Sequence, residues 1–443
     1  MKTRVDVIGA GISGLASAYF LAKSDIPFEI HVWEKDASPG GLAGTFSNGD
    51  FTIEKFYHHF YLRDVALTEL INELGMGDDL IWRPGSTGSY YQQQPYRLSS
   101  PVDLLKYKPL GIIDRFRLGW MILHARRHKD WHELDDTSVR DYVTRVAGER
   151  VYRTVWEPLF RGKFGKYADS ISAAWLWCKL IDRGTSQSKS GRELLGYLRG
   201  GLGRIFNTMV EFLESRGHQV HFGRGIKKLK SDADGRIGSI VTDEGEFDTD
   251  FVVSGVQLPD LARILPDSLD SYKKTIGEIK FLGNVCLILT LKRSLSDFYW
   301  TNISDVSFPF IGIIEQTKWA SPDDYAGKHI VYISSYIGQD DPRMKMDATE
   351  LLDSYLPYIR KMFPEFSIGD VLEKFAWRAP YAQPICEVGY RDMRPGITTP
   401  AENLYVCTMA QIYPHDRQVS NGVEMARKVS GMVVERFSEE SES

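Results

Sequence analysis

The pattern of apolar and polar positions divides the chain into stretches of different period. Arg4 to Ile8 (RVDVI) is a short β-branched run, followed after a few residues by LASAYFLAKS, which has the apolar spacing of a helix. A second alternating run, FEIHVWEK, predicts another strand, so the chain opens as strand, helix, strand. From about Pro101 to Lys189 the pattern is mostly helical, and from Gly196 to Val256 it returns to helix and short strands. Further strands, including NVCLILTLK and PFIGIIEQT, are predicted between about Asp260 and Val371. The segment from Glu402 to Val434 reads as strand, turn and helix. No internal repeat or low-complexity segment is visible. The predicted class is α/β, with a Rossmann-like domain interleaved with a second lobe of sheet plus helices (α+β).

Glycines add chemistry to the opening unit. GAGISG, Gly9 to Gly14, joins the first strand to the helix. Gly9 permits the tight turn, Gly11 leaves room for a pyrophosphate, and Gly14 lets the helix pack on the strand. The N–H groups of Ala10, Ile12 and Ser13 then face phosphates together with the positive end of the helix dipole. Glu34 closes the second strand about 20 residues beyond Gly14, where a carboxylate can take the ribose hydroxyls and disfavour a phosphorylated ribose. A second glycine turn follows Lys35, with Gly40, Gly41 and Gly44 around Leu42 and Ala43, and suits close backbone approach to an extended dinucleotide.

Composition sets limits. The 443 residues exceed a usual single core, so two lobes are expected. A formal net charge of −5 argues against a nucleic-acid partner. Cys178, Cys286, Cys386 and Cys407 lie far apart without a CxxC pair, so reduced buried thiols, no metal site and a cytoplasmic location are expected. No apolar run approaches a membrane span, and the acidic end of the chain, 437–443, is expected to be disordered. The segment GIIDRFRLGWMILHARRHKDW carries Arg115, Arg117, Arg126, Arg127 and Lys129 beside many apolar residues. A core helix with a solvated basic edge is the favoured reading, with peripheral contact to an anionic membrane or a greasy substrate as the alternative.

The glycine turn, Glu34 and the Gly40/Gly41 turn together resemble the superfamily of flavin amine oxidases, protoporphyrinogen oxidases and phytoene desaturases, to which UDP-galactopyranose mutase is related in fold. The resemblance covers about the first 60 residues and implies FAD. It divides the chain into 1–100, 191–260 and 386–436 for the FAD lobe, and 101–190 and 261–385 for the helices and sheet of the substrate lobe. It implies that Ile226 lies beside the adenine, after the Gly200/Gly201 turn. It also places Met409 and Asp416 near the ribityl chain, although the family's usual Gly-Asp is replaced here by Met409, Ala410 and Gln411. No second glycine unit for NADPH is present.

The candidate catalytic groups are His58 and His59 in KFYHHFYLRD, and Tyr413 and Arg417 in the last turn. Adjacent histidines in a strand point to opposite faces, so at most one of the two should reach the flavin. Arg417 either stabilises a reduced flavin or a substrate phosphate, or pairs with Asp416 to fix the turn. Tyr381, Gln383 and Tyr390 are candidate neighbours. The expected function is an FAD-dependent oxidoreductase moving a hydride from a small organic substrate to flavin N5. The alternative is a mutase-like enzyme that uses reduced FAD on a sugar-linked substrate, and a non-enzymatic FAD-binding protein is a third reading. Oligomeric state is not set by the sequence.

Overall fold

The computed structural model describes residues 2–186 and 193–442. The expected boundary between 190 and 191 lies outside the described residues.

The β-branched run at the start forms strand Arg4–Ile8, the centre of a five-stranded parallel sheet. Its neighbours are Glu29–Trp33 on one side and Phe251–Ser254 on the other; Gln219–His221 and Leu404–Val406 form the edges. Helix Ile12–Ala22 leaves the central strand and packs against helices Gly203–Ser215 and Val419–Glu442. Leu15, Ala18, Leu21, Phe206, Met209, Val423 and Ala426 fill this interface. Segments from the two ends and the middle of the chain therefore build one layer.

The second sheet has seven strands in the order Val371–Pro384, Phe281–Leu291, His329–Ile337, Gly312–Glu315, Trp300–Ile303, Thr87–Tyr91 and Gln94–Arg97. All eleven residues of Phe281–Leu291 are buried, which explains a mainly apolar sequence with Asn284 and Thr290 as its buried polar exceptions. Helix Ala348–Met362, started by a capping box between Asp347 and Glu350, covers one face through Leu351, Leu352, Tyr355 and Ile359. The last two strands correct the division expected from sequence. Residues 87–97 were assigned to the FAD lobe, yet they pair with Trp300–Ile303 and extend the other sheet. The stretch is polar and turn-rich, which hides both strands in the sequence.

The helical lobe includes Ile112–Arg127, Val139–Ala147, Glu157–Phe164 and Ala173–Thr185. Two expectations fail in the helices. The acidic segment 437–442 is the last part of helix Val419–Glu442, and Glu440 pairs with Arg236 and with Arg436 (2.9 Å). Pairing with a residue far along the same chain is what composition could not reveal. The basic helix Ile112–Arg127 is not a core helix with a polar edge. Leu118, Met121 and Ala125 are buried, but Ile112, Ile113, Phe116, Trp120 and Leu123 are exposed, the first two at 69%. The helix is apolar on two opposed sides, so its periodicity gave no single face. Among the described residues no helix is long and apolar enough to cross a membrane.

Candidate functional site

One cavity of about 1110 Å³ runs between the parallel sheet and the second lobe. It is larger than the roughly 300–1,000 Å³ of a site for one small ligand, so it has room for a cofactor and a second molecule.

At one end the glycine turn shapes the wall. A Cβ on Gly14 would lie 1.9 Å from the Gly9 carbonyl oxygen, so close helix-to-strand packing requires glycine there. A Cβ on Gly11 would meet no protein atom within 4 Å, and Gly11 borders the cavity. The open space at Gly11 fits a ligand backed onto the start of helix Ile12–Ala22, whose first turn carries no acidic residue and no capping side chain. Gly40 and Gly41 have φ of 116° and 54°, conformations that favour glycine, and bring the second turn against Gly11 through a parallel bridge. Glu34 is buried beside them. Its carboxylate accepts from the N–H of Ala10 at 2.7 Å and of Asp36 at 2.9 Å. Burial raises its pKa, partly offset by those two N–H groups. Each oxygen has one further lone pair for a ribose hydroxyl.

Gly9, Gly11, Ile12, Ser13, Lys35, Gly40, Gly41, Leu42, Ala43, Ile226 and Met409 all border the cavity, as the sequence suggests. Ala10 and Gly14 do not, because the first gives its N–H to Glu34 and the second packs on Gly9. At the start of helix Val419–Glu442 stands a residue the sequence reading missed, Gln418. Both polar atoms of its carboxamide are buried without a partner, and it borders the cavity. A buried amide left unsatisfied is costly, and polar edges of a bound flavin would satisfy it. The residues present therefore fit FAD.

The other end holds the reactive side chains. Lys55 to His59 form a loop rather than a strand, which overturns the expectation that the two histidines face opposite ways. Both border the cavity. The His58 Nδ1 lies 2.7 Å from the Phe56 carbonyl oxygen, so it is the protonated nitrogen and Nε2 carries a lone pair. Burial pushes its pKa down to about 4, the Phe56 bond working against this and Arg417 with it. His59 is held by Tyr299 at 3.1 Å and Tyr61 at 3.4 Å, and burial lowers its pKa to about 3. Both imidazoles are neutral at physiological pH.

The last turn departs further from expectation. Tyr413 does not border the cavity. It is buried, and its hydroxyl is tied to Asp135 and, at 2.6 Å, to Ser172, both from the helical lobe. Tyr390 is likewise buried, donating to the Ala410 carbonyl at 2.9 Å. Asp416 and Arg417 do border the cavity, but neither is the other's hydrogen-bond partner. Asp416 Oδ2 accepts from Lys163 and Lys179, each at 2.9 Å. Burial alone would raise that carboxyl; the two ammonium groups more than offset this and hold it far below the usual range. Arg417 donates to Tyr336 at 2.6 Å and to Gln383 at 3.1 Å. Lys163 and Lys179 were not singled out from sequence, since lysines on amphipathic helices normally face water.

Cys178, Asp182 and His415 bring ligand-type atoms within 4.8 Å of one another. Arg63 donates to His415 Nδ1 at 2.8 Å and pairs with Asp182, so a guanidinium takes the place a cation would occupy. The four cysteines are free and buried.

These features define a protein that grips an extended dinucleotide at one end of a cavity and leaves space beside it for another molecule. A family model, flavin containing amine oxidoreductase, matches residues 12–429, and the chain belongs to that family. Its cofactor is FAD. The chain is 27% identical over 184 residues to coproporphyrinogen III oxidase of Staphylococcus aureus, covering 39% of this chain and 38% of that protein. It is also 27% identical over 277 residues to coproporphyrinogen III oxidase of Mycobacterium tuberculosis, covering 58% of this chain and 60% of the relative. The matched segments thus span between about a third and two thirds of these relatives. In fold it resembles reduced UDP-galactopyranose mutase, with a TM-score of 0.74 and 15% identity over 98% of this chain and 95% of that one.

Proposed function

We propose that the chain is an FAD-dependent oxidoreductase that removes hydride from an organic substrate. The observation that carries this reading is the single cavity continuing from the glycine turns to His58, Arg417 and the lobe behind them. Bound FAD supplies the hydride acceptor. The chain's own residues orient and enclose. Gly9, Gly11, Glu34 and Gly41 seat the dinucleotide, and Trp156, Phe160, Trp300, Tyr336 and Trp377 line the space for the substrate and exclude water from it. His58 presents the Nε2 lone pair to accept a hydrogen bond, whereas His59 is occupied by two tyrosines and acts as a support. With a pKa of about 4, His58 positions a donor better than it holds a proton.

The mutase-like alternative rests on the His58/His59 loop and on a Tyr and Asp at the last turn. Tyr413 is turned into the helical lobe, which removes one element of that likeness. The test is anaerobic. A hydride-removing enzyme bleaches its flavin with substrate in the absence of dithionite. Turnover only after prior reduction, with no net electron uptake, would overturn the reading. His58→Ala should slow bleaching roughly 10- to 100-fold at unchanged FAD content, as loss of one orienting hydrogen bond of about 1.5–3 kcal/mol implies. An unchanged rate would remove His58 from the site.

The exposed face of helix Ile112–Arg127 supports peripheral binding to an anionic lipid surface. Ile112, Phe116, Trp120 and Leu123 form an apolar stripe, continued by Val102 and Leu105, and Arg115, Arg117, Arg126 and Arg127 surround it. Insertion of such a stripe is favoured by about 1.5–3 kcal/mol for each large side chain, and each basic residue adds about 1 kcal/mol at an anionic surface. Vesicles rich in phosphatidylserine should sediment the protein, and Phe116→Glu should weaken this by roughly tenfold or more. Equal sedimentation of the variant would sink the assignment, and so would equal binding to neutral vesicles.

A further inference from the structure

We propose that Lys163, Lys179, Asp416 and Arg417 form a subsite for an oxyanion carried by the substrate, a phosphate or carboxylate group. The proposal rests on the oxidoreductase reading only in taking the molecule beside the cofactor to be a substrate.

All four side chains border the cavity. Their charges do not cancel. Lys163 and Lys179 share a single carboxylate oxygen of Asp416, while Arg417 is bonded to two neutral acceptors, Tyr336 and Gln383. Arg183, on the same cavity, is matched by Glu193 at 2.9 Å, whereas Arg378 also borders it with Nε and one terminal nitrogen buried without a partner. His58 and His59 contribute no positive charge near neutral pH. A net positive charge therefore remains on this wall of the cavity.

Surplus charge away from water is expensive unless a ligand of opposite sign completes it. The side chains of Lys163 and Lys179 are only 18% and 29% exposed, so solvent screens them weakly. Each ammonium has three donors, of which one is used on Asp416. Asp416 then has a second purpose. It holds two like charges side by side at the cavity wall, where the Lys163 ammonium also lies 4.5 Å from the centroid of the Trp175 ring. The cofactor's own pyrophosphate has another seat, the N–H groups of the glycine turn at the far end. An oxyanion on the substrate is the remaining partner, and binding it here fixes which part of the substrate lies against the flavin. A cationic amine would meet repulsion from the same wall.

The competing use of this charge is stabilisation of reduced FAD, and the experiment separates the two. Oxidised holoprotein is titrated with inorganic phosphate and, separately, acetate, against sodium chloride of equal ionic strength, and the visible flavin spectrum is followed. No turnover is needed, so a failed substrate screen and a failed subsite give different results. Saturable perturbation by phosphate or acetate is expected, the tighter of the two naming the group. Lys163→Gln and Lys179→Gln should each weaken it roughly tenfold or more, with FAD content unchanged. Lys179→Arg should retain most of it. Should the glutamine variants fail to fold, Arg417→Gln gives the same readout from the turn. Absence of saturation overturns the proposal. It is also overturned if the variants bind as the parent does while the flavin reduction potential falls, since the charge would then serve the cofactor.

Discussion

Gly11→Val should yield a folded protein that does not retain FAD, whereas Gly14→Ala should fail to fold normally. The two glycines are three residues apart in one turn, and their surroundings separate their roles. An added Cβ at Gly14 would stand 1.9 Å from the Gly9 carbonyl oxygen and 3.1 Å from its carbon, which are backbone atoms without rotamers to yield. Alanine gains about 1 kcal/mol over glycine in a helix, but overpacking of this severity reaches or exceeds the upper end of about 1–3 kcal/mol. The net effect is loss of stability, read as a fall in the urea midpoint of the apoprotein. At Gly11 no protein atom lies within 4 Å of the added Cβ, so the apoprotein midpoint should stay in place. There the branched side chain fills the space assigned to the pyrophosphate, and FAD affinity should drop roughly 10- to 100-fold. If Gly11→Val retains FAD after dialysis as the parent does, the cavity at the glycine turn is not the cofactor's seat.

The second large effect is expected at Asp416. Replacing it with asparagine leaves Lys163 and Lys179 near each other, little exposed, without the carboxylate both contact. Breaking a buried pair from one side costs about 3–5 kcal/mol, because the remaining charges are stranded. Urea unfolding at neutral pH should show a loss of that order. The pH dependence has a defined sign. The Asp416 carboxyl sits far below its ordinary range in the folded protein, so its contribution is present above pH 4 and lost as pH falls further. The variant should lack that part of the acid sensitivity. A loss under about 1 kcal/mol would mean that the lysines relax into solvent and that the charge wall is loose.

Legibility in the sequence followed how local each cause was. The glycine turns and Glu34 were visible because tight backbone geometry leaves few residue choices and acts within a few positions. The buried strand Phe281–Leu291 was visible because burial on both faces leaves it mainly apolar, Asn284 and Thr290 excepted. Lys163 and Lys179 were hidden, since each looks like an ordinary solvent-facing lysine until two helices bring both to Asp416, more than two hundred residues away. Tyr413 was misassigned for the converse reason. Its place near Asp416 in sequence suggested the cavity, but Asp135 and Ser172 draw it into the other lobe. Strands Thr87–Tyr91 and Gln94–Arg97 were hidden because their stretch is polar and rich in turn residues, and their partner Trp300–Ile303 lies far along the chain.

Helix Ile12–Ala22 is covered by helix Val419–Glu442, and that pairing sets a schedule for biosynthesis. At about 5–20 residues per second, roughly 20–80 seconds separate the emergence of the two helices from a ribosome. Through that interval Leu15, Ala18 and Leu21 lack their final cover, and the glycine turn lacks the Gln418 end of its site. Cofactor loading is therefore expected to follow translation of helix Val419–Glu442.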